Sequence, residues 1–310
     1  MTEKRKISLG GLPALVLSMT VFGTVGIFRR YIPLPSGWIA MARGAIGMLF
    51  LMAVMLIGRK RPAFAVLRKN LIPLLISGAC IGVNWILFFE SYLYTTVATA
   101  TVCYYMAPVI VTLLSPLVLR ERLTVKKAIC VAVAFVGAAL VSGIGQTGGG
   151  ASQYKGILLA LGAAVLYACV VLMNKKMQEV PALDRTATQL GAAALVLVPY
   201  ALIAEPVSTM EFTPFAVICL AVVGVLHTGV AYALYFGSIG KLGAQTAALC
   251  SYIDPVVAIV LAAIIFNEPF TVASAIGTVL VIGAALAGEL ELRRKPKHKK
   301  ETTNEQAQGD

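Results

Sequence analysis

Charge is what this sequence has least of. Only 13% of its residues are Asp, Glu, Lys or Arg, about half the share of a soluble domain, while 59% are hydrophobic. A water-soluble globular chain is excluded. Histidine is nearly absent: His227 and His298 cannot make a metal site by themselves, and no H-E-x-x-H occurs. No G-x-x-x-x-G-K-[ST] is present either, which excludes a built-in nucleotide-driven motor. The six cysteines (Cys80, Cys103, Cys130, Cys169, Cys219 and Cys250) include no C-x-x-C and all fall inside apolar stretches. They read as small buried hydrophobes, neither disulfides nor zinc ligands. No cofactor and no metal are expected.

What the chain has in abundance is long apolar runs. Ten can be marked, near residues 9–28, 36–57, 71–93, 97–119, 125–143, 156–174, 186–204, 214–236, 244–266 and 272–290. Each approaches the roughly 20 residues a helix rising about 1.5 Å per residue needs to cross a hydrocarbon core about 30 Å thick. The runs are continuously apolar and rich in Leu, Ala and Gly, without the alternation of a barrel wall. The expectation is an all-α membrane protein with ten transmembrane helices. The first run follows "MTEKRK" as a signal peptide's would, but it is too long for an h-region, has no clear A-x-A site and ends in Arg29-Arg30. It reads as a retained first span.

The net charge of +12 is distributed by topology rather than gathered for a nucleic acid. With the amino end cytoplasmic, 22 of the 26 Lys and Arg fall on the cytoplasmic side, Arg29, Arg30 and Lys155 fall outside, and Arg43 lies within a span. The positive-inside rule then makes the chain a multi-pass cell-membrane protein with both termini cytoplasmic. The basic tail "RRKPKHKK" reads as a topology anchor against lipid, and "ETTNEQAQGD" after it as a disordered end.

Sliding the chain by 147 residues lays "GVNWILFFESYLYTTVATATVCYYMAPV" (82–109) over "GVAYALYFGSIGKLGAQTAALCSYIDPV" (229–256), and the match runs on to Glu121 over Glu268 and Thr124 over Thr271. Of 43 positions 14 are identical, and matched Thr, Cys, Tyr, Pro and Glu do not follow from shared hydrophobicity. A shorter match pairs "GLPALVLSMTVFG" (11–23) with "GILLALGAAVLYA" (156–168). The chain therefore reads as a first five-helix repeat over 9–143, a flexible linker over 144–153, a second repeat over 154–290 and a tail over 291–310. Five is odd, so the second repeat enters the membrane from the opposite side. Inverted-topology repeats of this kind place a substrate site near the midplane in secondary transporters.

A proline in the fourth span of each half ("YYMAPV", "SYIDPV"), an acidic residue before the fifth ("LRERLT", "FNEPFT") and a "GAAL" ending ("VGAALVSG", "IGAALAGE") occur in the same order twice. Over residues 9–290 the chain resembles the EamA family of the drug/metabolite transporter superfamily. The resemblance implies a ten-helix fold around a central cavity and the movement, often outward, of amino acids, related metabolites or toxic amphipathic compounds.

The candidate transport residues are the polar groups embedded in spans. Asp254 lies near the middle of span nine, where an ionised carboxylate costs at least about 2.5 kcal/mol on insertion scales and so faces protein, water or a cation rather than lipid. Pro255 removes the N–H that would bond the Ser251 carbonyl and kinks the helix. Ala247, Ser251, Asp254 and Ala258 form one small, polar face. The corresponding face of span four reads Ala100, Tyr104, Ala107 and Val111, with Pro108 freeing the Tyr104 carbonyl. Tyr105 and Tyr252, equivalent under the repeat, point elsewhere and read as packing residues, and Glu121 and Glu268 as structural residues beside the capping Thr124 and Thr271.

Arg43 in span two and Glu90 near the outer end of span three have no charged counterparts in the other half, where the offset gives Leu190 and Gly237. They read equally as a mutual ion pair or as substrate and coupling groups. Asn84 lies near the middle of span three. His227, near the middle of span eight, reads equally as a proton relay or as a buried neutral ring bonded to a carbonyl. Trp85, Tyr104 and Tyr232 are the deep aromatics expected to line the cavity.

The set points to a small-molecule transporter in contact with membrane lipids, proton-linked or facilitative. A carboxylate and aromatic faces suit a zwitterionic amino acid or an aromatic or amphipathic amine. A sugar would need more neutral hydrogen-bonding groups, and Asp254 would repel a phosphate ester. A membrane enzyme would need a constellation these spans lack, and a lipid flippase is the other alternative.

Overall fold

The structure is a computed structural model and describes residues 11–120, 124–142, 150–177, 179–205, 207, 210–239, 250, 253–267 and 271–289. Helices dominate these residues, and no strand occurs among the described residues. Seven stretches are long and apolar enough to cross a membrane: Gly11–Arg30, Ser36–Ile57, Leu71–Tyr94, Val97–Leu119, Ala151–Lys176, Ala182–Ala204 and Pro214–Tyr235. Two shorter apolar helices cover Ile253–Phe266 and Val272–Ala284. Only 33–50% of the residues in the seven spanning windows are buried inside the molecule. The outward positions are Leu56, Ile57, Leu117, Ile203, Ile264 and their like. A surface so uniformly apolar is stable against acyl chains and unstable against water.

Proline, glycine and the caps set where the helices begin and break. Helices α1 (Gly11–Gly23) and α2 (Val25–Arg30) are separated at Thr24, and the three residues Pro33, Leu34 and Pro35 force a turn before α3 (Ser36–Ile57). Short α4 (Phe64–Lys69) leads into α5 (Leu71–Tyr94). The span 97–119 is two helices, α6 (Val97–Tyr104) and α7 (Ala107–Leu119), α6 being capped by Thr96, whose hydroxyl oxygen accepts from the Thr99 N–H. Then come α8 (Val125–Ser142), α9 (Ala151–Lys176) and α10 (Ala182–Ala204). After the Thr213 cap, α11 (Pro214–Val222) passes into a π-helical turn (Val223–Val230) and on into α12 (Ala231–Ile239). Helices α13 (Ile253–Phe266) and α14 (Val272–Glu289) complete the described chain.

Helix α9 starts at Ala151, inside the expected 144–153 linker, because the run of glycines ends at Gly150 and the Gln153 N–H already bonds the Gly150 carbonyl at 2.9 Å. Residues 143–149, like the basic tail, Glu121 and Glu268, lie outside the described residues.

Close packing runs along α3 with α10, α5 with α9 and α10, α1 with α12, and α8 with α14. Small residues allow it, as is usual where lipid removes the hydrophobic drive between helices. A Cβ on Gly78 of α5 would stand 2.5 Å from Ala192 Cβ and 2.6 Å from the Gln189 carbonyl on α10. One on Gly137 of α8 would stand 2.7 Å from the Gly277 carbonyl on α14. Contacts between connecting segments sort by bundle end. At one end Asn70 donates to Glu179 (2.8 Å), Lys69 pairs with Glu179 (3.6 Å) and the Ala63 N–H bonds Asp184 (2.9 Å). At the other, Glu205 meets Gly37 and Trp38, Tyr31 packs edge-on against Phe215, and Lys155 sits over Tyr94.

Candidate functional site

The break between α6 and α7 follows from Pro108, which has no N–H to give the Tyr104 carbonyl. The Tyr105 N–H still bonds the Thr101 carbonyl (3.0 Å), but Met106 turns tightly onto Cys103 (3.1 Å) before the helix restarts at Ala107. That turn swings Tyr105 toward α13, and its hydroxyl donates to Asp254 Oδ2 at 2.6 Å, a short bond of the kind made to carboxylates. The packing role assigned to Tyr105 is therefore incomplete, because an unbroken helical wheel cannot place it there. The end of α1 packs against the backbone here: Gly23 lies so close that a Cβ would stand 2.6 Å from the Asp254 backbone carbonyl and 2.7 Å from Val257 Cβ. Ser251, the other polar candidate on this face, and Tyr252 lie outside the described residues.

Aromatic rings surround the carboxylate. Tyr104 stacks on Phe88 (centroids 4.3 Å, 26°), meets Tyr105 edge-on (6.2 Å) and leans on Tyr167 of α9 (5.6 Å). Tyr232 packs edge-on against Phe22 of α1 (5.3 Å). Tyr104, Tyr105, Tyr232 and Asp254 each keep part of their surface accessible, and Tyr167 is 41% exposed. These groups lie within electrostatic range of one another. Asn84 donates to the Ala163 carbonyl across the α5–α9 contact (2.5 Å) and lies beside the Tyr104 hydroxyl.

Arg43 of α3 lies near the same group. Its guanidinium lies over Trp85 (4.3 Å) and Phe89 (5.7 Å), and its Nε donates to Thr228 Oγ1 at 2.7 Å. It is within electrostatic range of Tyr232, Tyr104 and Asp254 without forming an ion pair with Asp254. Trp85 is thus the floor beneath the guanidinium, only 5% exposed.

Glu90 does not join this group. The Ser36 hydroxyl donates to Glu90 Oε2 (2.8 Å), and Arg29 reaches Ser36 (3.2 Å) and the Ile32 carbonyl (3.0 Å). The reading of Arg43 and Glu90 as an ion pair is overturned, since each has other partners. Arg29 itself, counted in the charge pattern as an outer loop cation, is buried. Glu205 completes this end of the bundle: its carboxylate accepts from the Gly37 N–H (3.0 Å) and the Trp38 N–H (3.2 Å), capping α3, while Trp38 Nε1 donates to the Glu205 carbonyl (2.9 Å). Burial, reinforced by Glu90, pushes the Glu205 carboxyl above the usual carboxylate range against the pull of those two N–H groups and Arg29.

His227 is fully buried in the π-helical turn. Its Nε2 is 2.8 Å from the Thr24 hydroxyl, its Nδ1 is 3.3 Å from the Val222 carbonyl, and Phe28 packs edge-on at 5.0 Å. The structure thus brings together Asp254, Tyr104, Tyr232, Trp85, Arg43 and Asn84, sets Glu90 apart on Ser36, and gives His227 the partners Thr24 and Val222. It adds Tyr105, Tyr167 and Thr228, of which only Tyr105 carried a sequence signal, the proline three residues on. Among the described residues no group of three or more His, Cys, Asp or Glu could hold a metal ion. These residues present one carboxylate, one guanidinium and several ring faces, groups of the kind that bind ions and flat rings.

Comparison with known proteins identifies the family. The profile of the EamA-like transporter family matches residues 9–143 and again residues 154–287. The uncharacterized transporter YxxF of Bacillus subtilis (strain 168) is 31% identical over 254 residues, covering 80% of this chain and 79% of that one. An uncharacterized transporter of Vibrio cholerae is 26% identical over 278 residues, covering 87% and 89%. A solved crystal structure superposes with a TM-score of 0.65 at 20% identity, covering 90% of this chain and 96% of that chain, a likeness of fold alone.

Proposed function

The chain belongs to the EamA-like transporter family, and on that premise we propose that it exports a zwitterionic amino acid or an aromatic or amphipathic amine by alternating access around the Asp254 space. The moving parts in this reading are ten spans in two inverted five-helix repeats, 9–143 and 154–290, with both termini cytoplasmic. Helix pairing supports the arrangement. The close pair α5 with α9 has a counterpart in α12 with α1, and α5 with α10 has one in the π-helical turn with α3, as a twofold relation between halves requires. The outward direction follows the family resemblance.

The observation that carries the substrate class is Asp254, held by the Tyr105 hydroxyl inside a wall of Tyr and Phe rings. A carboxylate embedded at this depth is costly unless a cation meets it, and ring faces attract the same cation or stack on a flat group. Asp254 is also the group that would take a coupling proton if transport is proton-linked. The test is protection: overexpression should let cells tolerate a toxic amino-acid analogue or an amphipathic cation. Tight binding of a sugar or a phosphate ester by the purified protein, with no response to any amine, would overturn the reading.

A further inference from the structure

Arg43 is 94% buried by its 6% relative exposure, yet among the described residues no carboxylate touches it. A guanidinium is charged under all ordinary conditions, and burying it without an anion costs several kcal/mol. Its Nε is committed to Thr228 and its face to Trp85 and Phe89. The two Nη atoms make no hydrogen bond to any described residue. Asp254 is in electrostatic range but accepts from Tyr105 instead, and Glu90 is held by Ser36.

Thr228 fixes how that fork is aimed. Its hydroxyl has one proton, which goes to the Val223 carbonyl at 3.1 Å, so a lone pair remains for the Arg43 Nε–H. The bonded carbonyl lies five residues back, the spacing of π winding, where an α-helical threonine would reach four back. Thr228 is fully buried, and Gly47 on α3 makes the room: a Cβ there would collide with Thr228 Cγ2. Gly224 and Gly229, within the same turn, likewise admit Ile46 and Phe50 of α3. The turn is therefore keyed into α3 around Arg43.

We propose that Arg43, aimed by Thr228 of the π-helical turn, is a carboxylate-binding subsite, and that Thr228 is a positioning residue for recognition of the acid end of the substrate. The two Nη atoms present a planar pair of donors to a carboxylate. The inference rests on the transporter reading only for the other end, where Asp254 takes the ammonium group. Together the two subsites select a zwitterion over a simple amine.

The test is equilibrium binding by calorimetry of the purified full chain with three probes: L-phenylalanine, phenethylamine, which lacks the carboxylate, and phenylacetate, which lacks the amine. Thr228→Val should weaken L-phenylalanine and phenylacetate about tenfold to a hundredfold, as expected for a hydrogen bond to a charged group, and phenethylamine less than about threefold. Thr228→Ser should restore the first two. Asp254→Asn should weaken phenethylamine and L-phenylalanine and spare phenylacetate. Equal weakening of all three probes by Thr228→Val overturns the proposal, as does unchanged L-phenylalanine affinity or a wild type that binds neither acid. Phenethylamine binding indifferent to Asp254→Asn overturns the ammonium site instead and leaves the carboxylate subsite standing. If Thr228→Val does not fold, Arg43→Lys, which keeps the charge and loses the fork, gives the same readout, and full L-phenylalanine affinity there also counts against the subsite.

Discussion

Replacing Gly78 by alanine should destabilise the protein, and the same change at Gly283 should stabilise it. At Gly78 the new methyl would stand 2.5 Å from Ala192 Cβ and 2.6 Å from the Gln189 carbonyl, with Ala193 N at 3.3 Å. Carbon contacts relax near 3.5–4.0 Å, so α10 must retreat from α5 by about 1 Å, enough to forfeit a quarter to a half of the local dispersion energy. Overpacking of this kind costs about 1–3 kcal/mol. The retreat also stretches the bonds from Gln189 Nε2 to Ser77 (2.7 Å) and Asn174 (2.8 Å), worth about 0.6 kcal/mol each between membrane helices. Against this stands the gain of about 0.5–1 kcal/mol from replacing glycine within a helix. The net expectation is a loss of about 1–3 kcal/mol. Gly283 on α14 has no described residue within 4 Å of its would-be Cβ, so only the helix gain of about 0.5–1 kcal/mol remains. Unfolding of the two variants in detergent, by heat or by titration with a denaturing surfactant, should move in opposite directions. A Gly78→Ala protein as stable as the wild type would refute the close α5–α10 contact.

Glu205 gives a pH signature. Its carboxyl is held above the usual carboxylate range, so the folded state grips the proton more tightly than the unfolded chain does. Stability tied to this group is then greatest at low pH and is lost as pH rises through the usual carboxylate range up to the folded value. Thermal unfolding of Glu205→Gln against pH should lack that component, and an unchanged profile would count against it. Glu205→Ala, which uncaps α3, should cost about 1 kcal/mol in the same assay at neutral pH. Reporter fusions after Gly58 and Lys176 should read cytoplasmic, and fusions within 145–153 external, as the split of 22 against three cations requires. A cytoplasmic signal from 145–153 would break the inverted-repeat reading.

The helices were legible because lipid demands continuous apolar runs, and the break in span four because Pro108 announces it. The break at Thr24 had no such herald. It follows from how Gly23 packs against residues 254–257, more than two hundred positions away. The π-helical turn at Val223–Val230 was invisible for the same kind of reason: nothing in "VGVLHTGV" distinguishes π from α winding, and α3 fits around it. That hid the partner of Arg43, since helical spacing gives no reason to choose Thr228. Asp254 stood out as a lone carboxylate in an apolar run, but its neighbour Tyr105 was read from a wheel that the helix does not follow. The link from Arg29 to Glu90 was hidden because position along a span does not reveal that Ser36, at the start of the next helix, sits between them.

The central claim is that Asp254 meets the cationic group of a transported substrate. Asp254→Asn keeps the shape and removes the charge, and the Asn oxygen can still accept from Tyr105 at the 2.6 Å site. Uptake and efflux of the amine or amino acid identified by the protection screen should be measured in vesicles holding equal amounts of wild-type and Asp254→Asn protein. The account predicts a variant that inserts and unfolds like the wild type and has lost most of its transport. Wild-type transport by Asp254→Asn would contradict it.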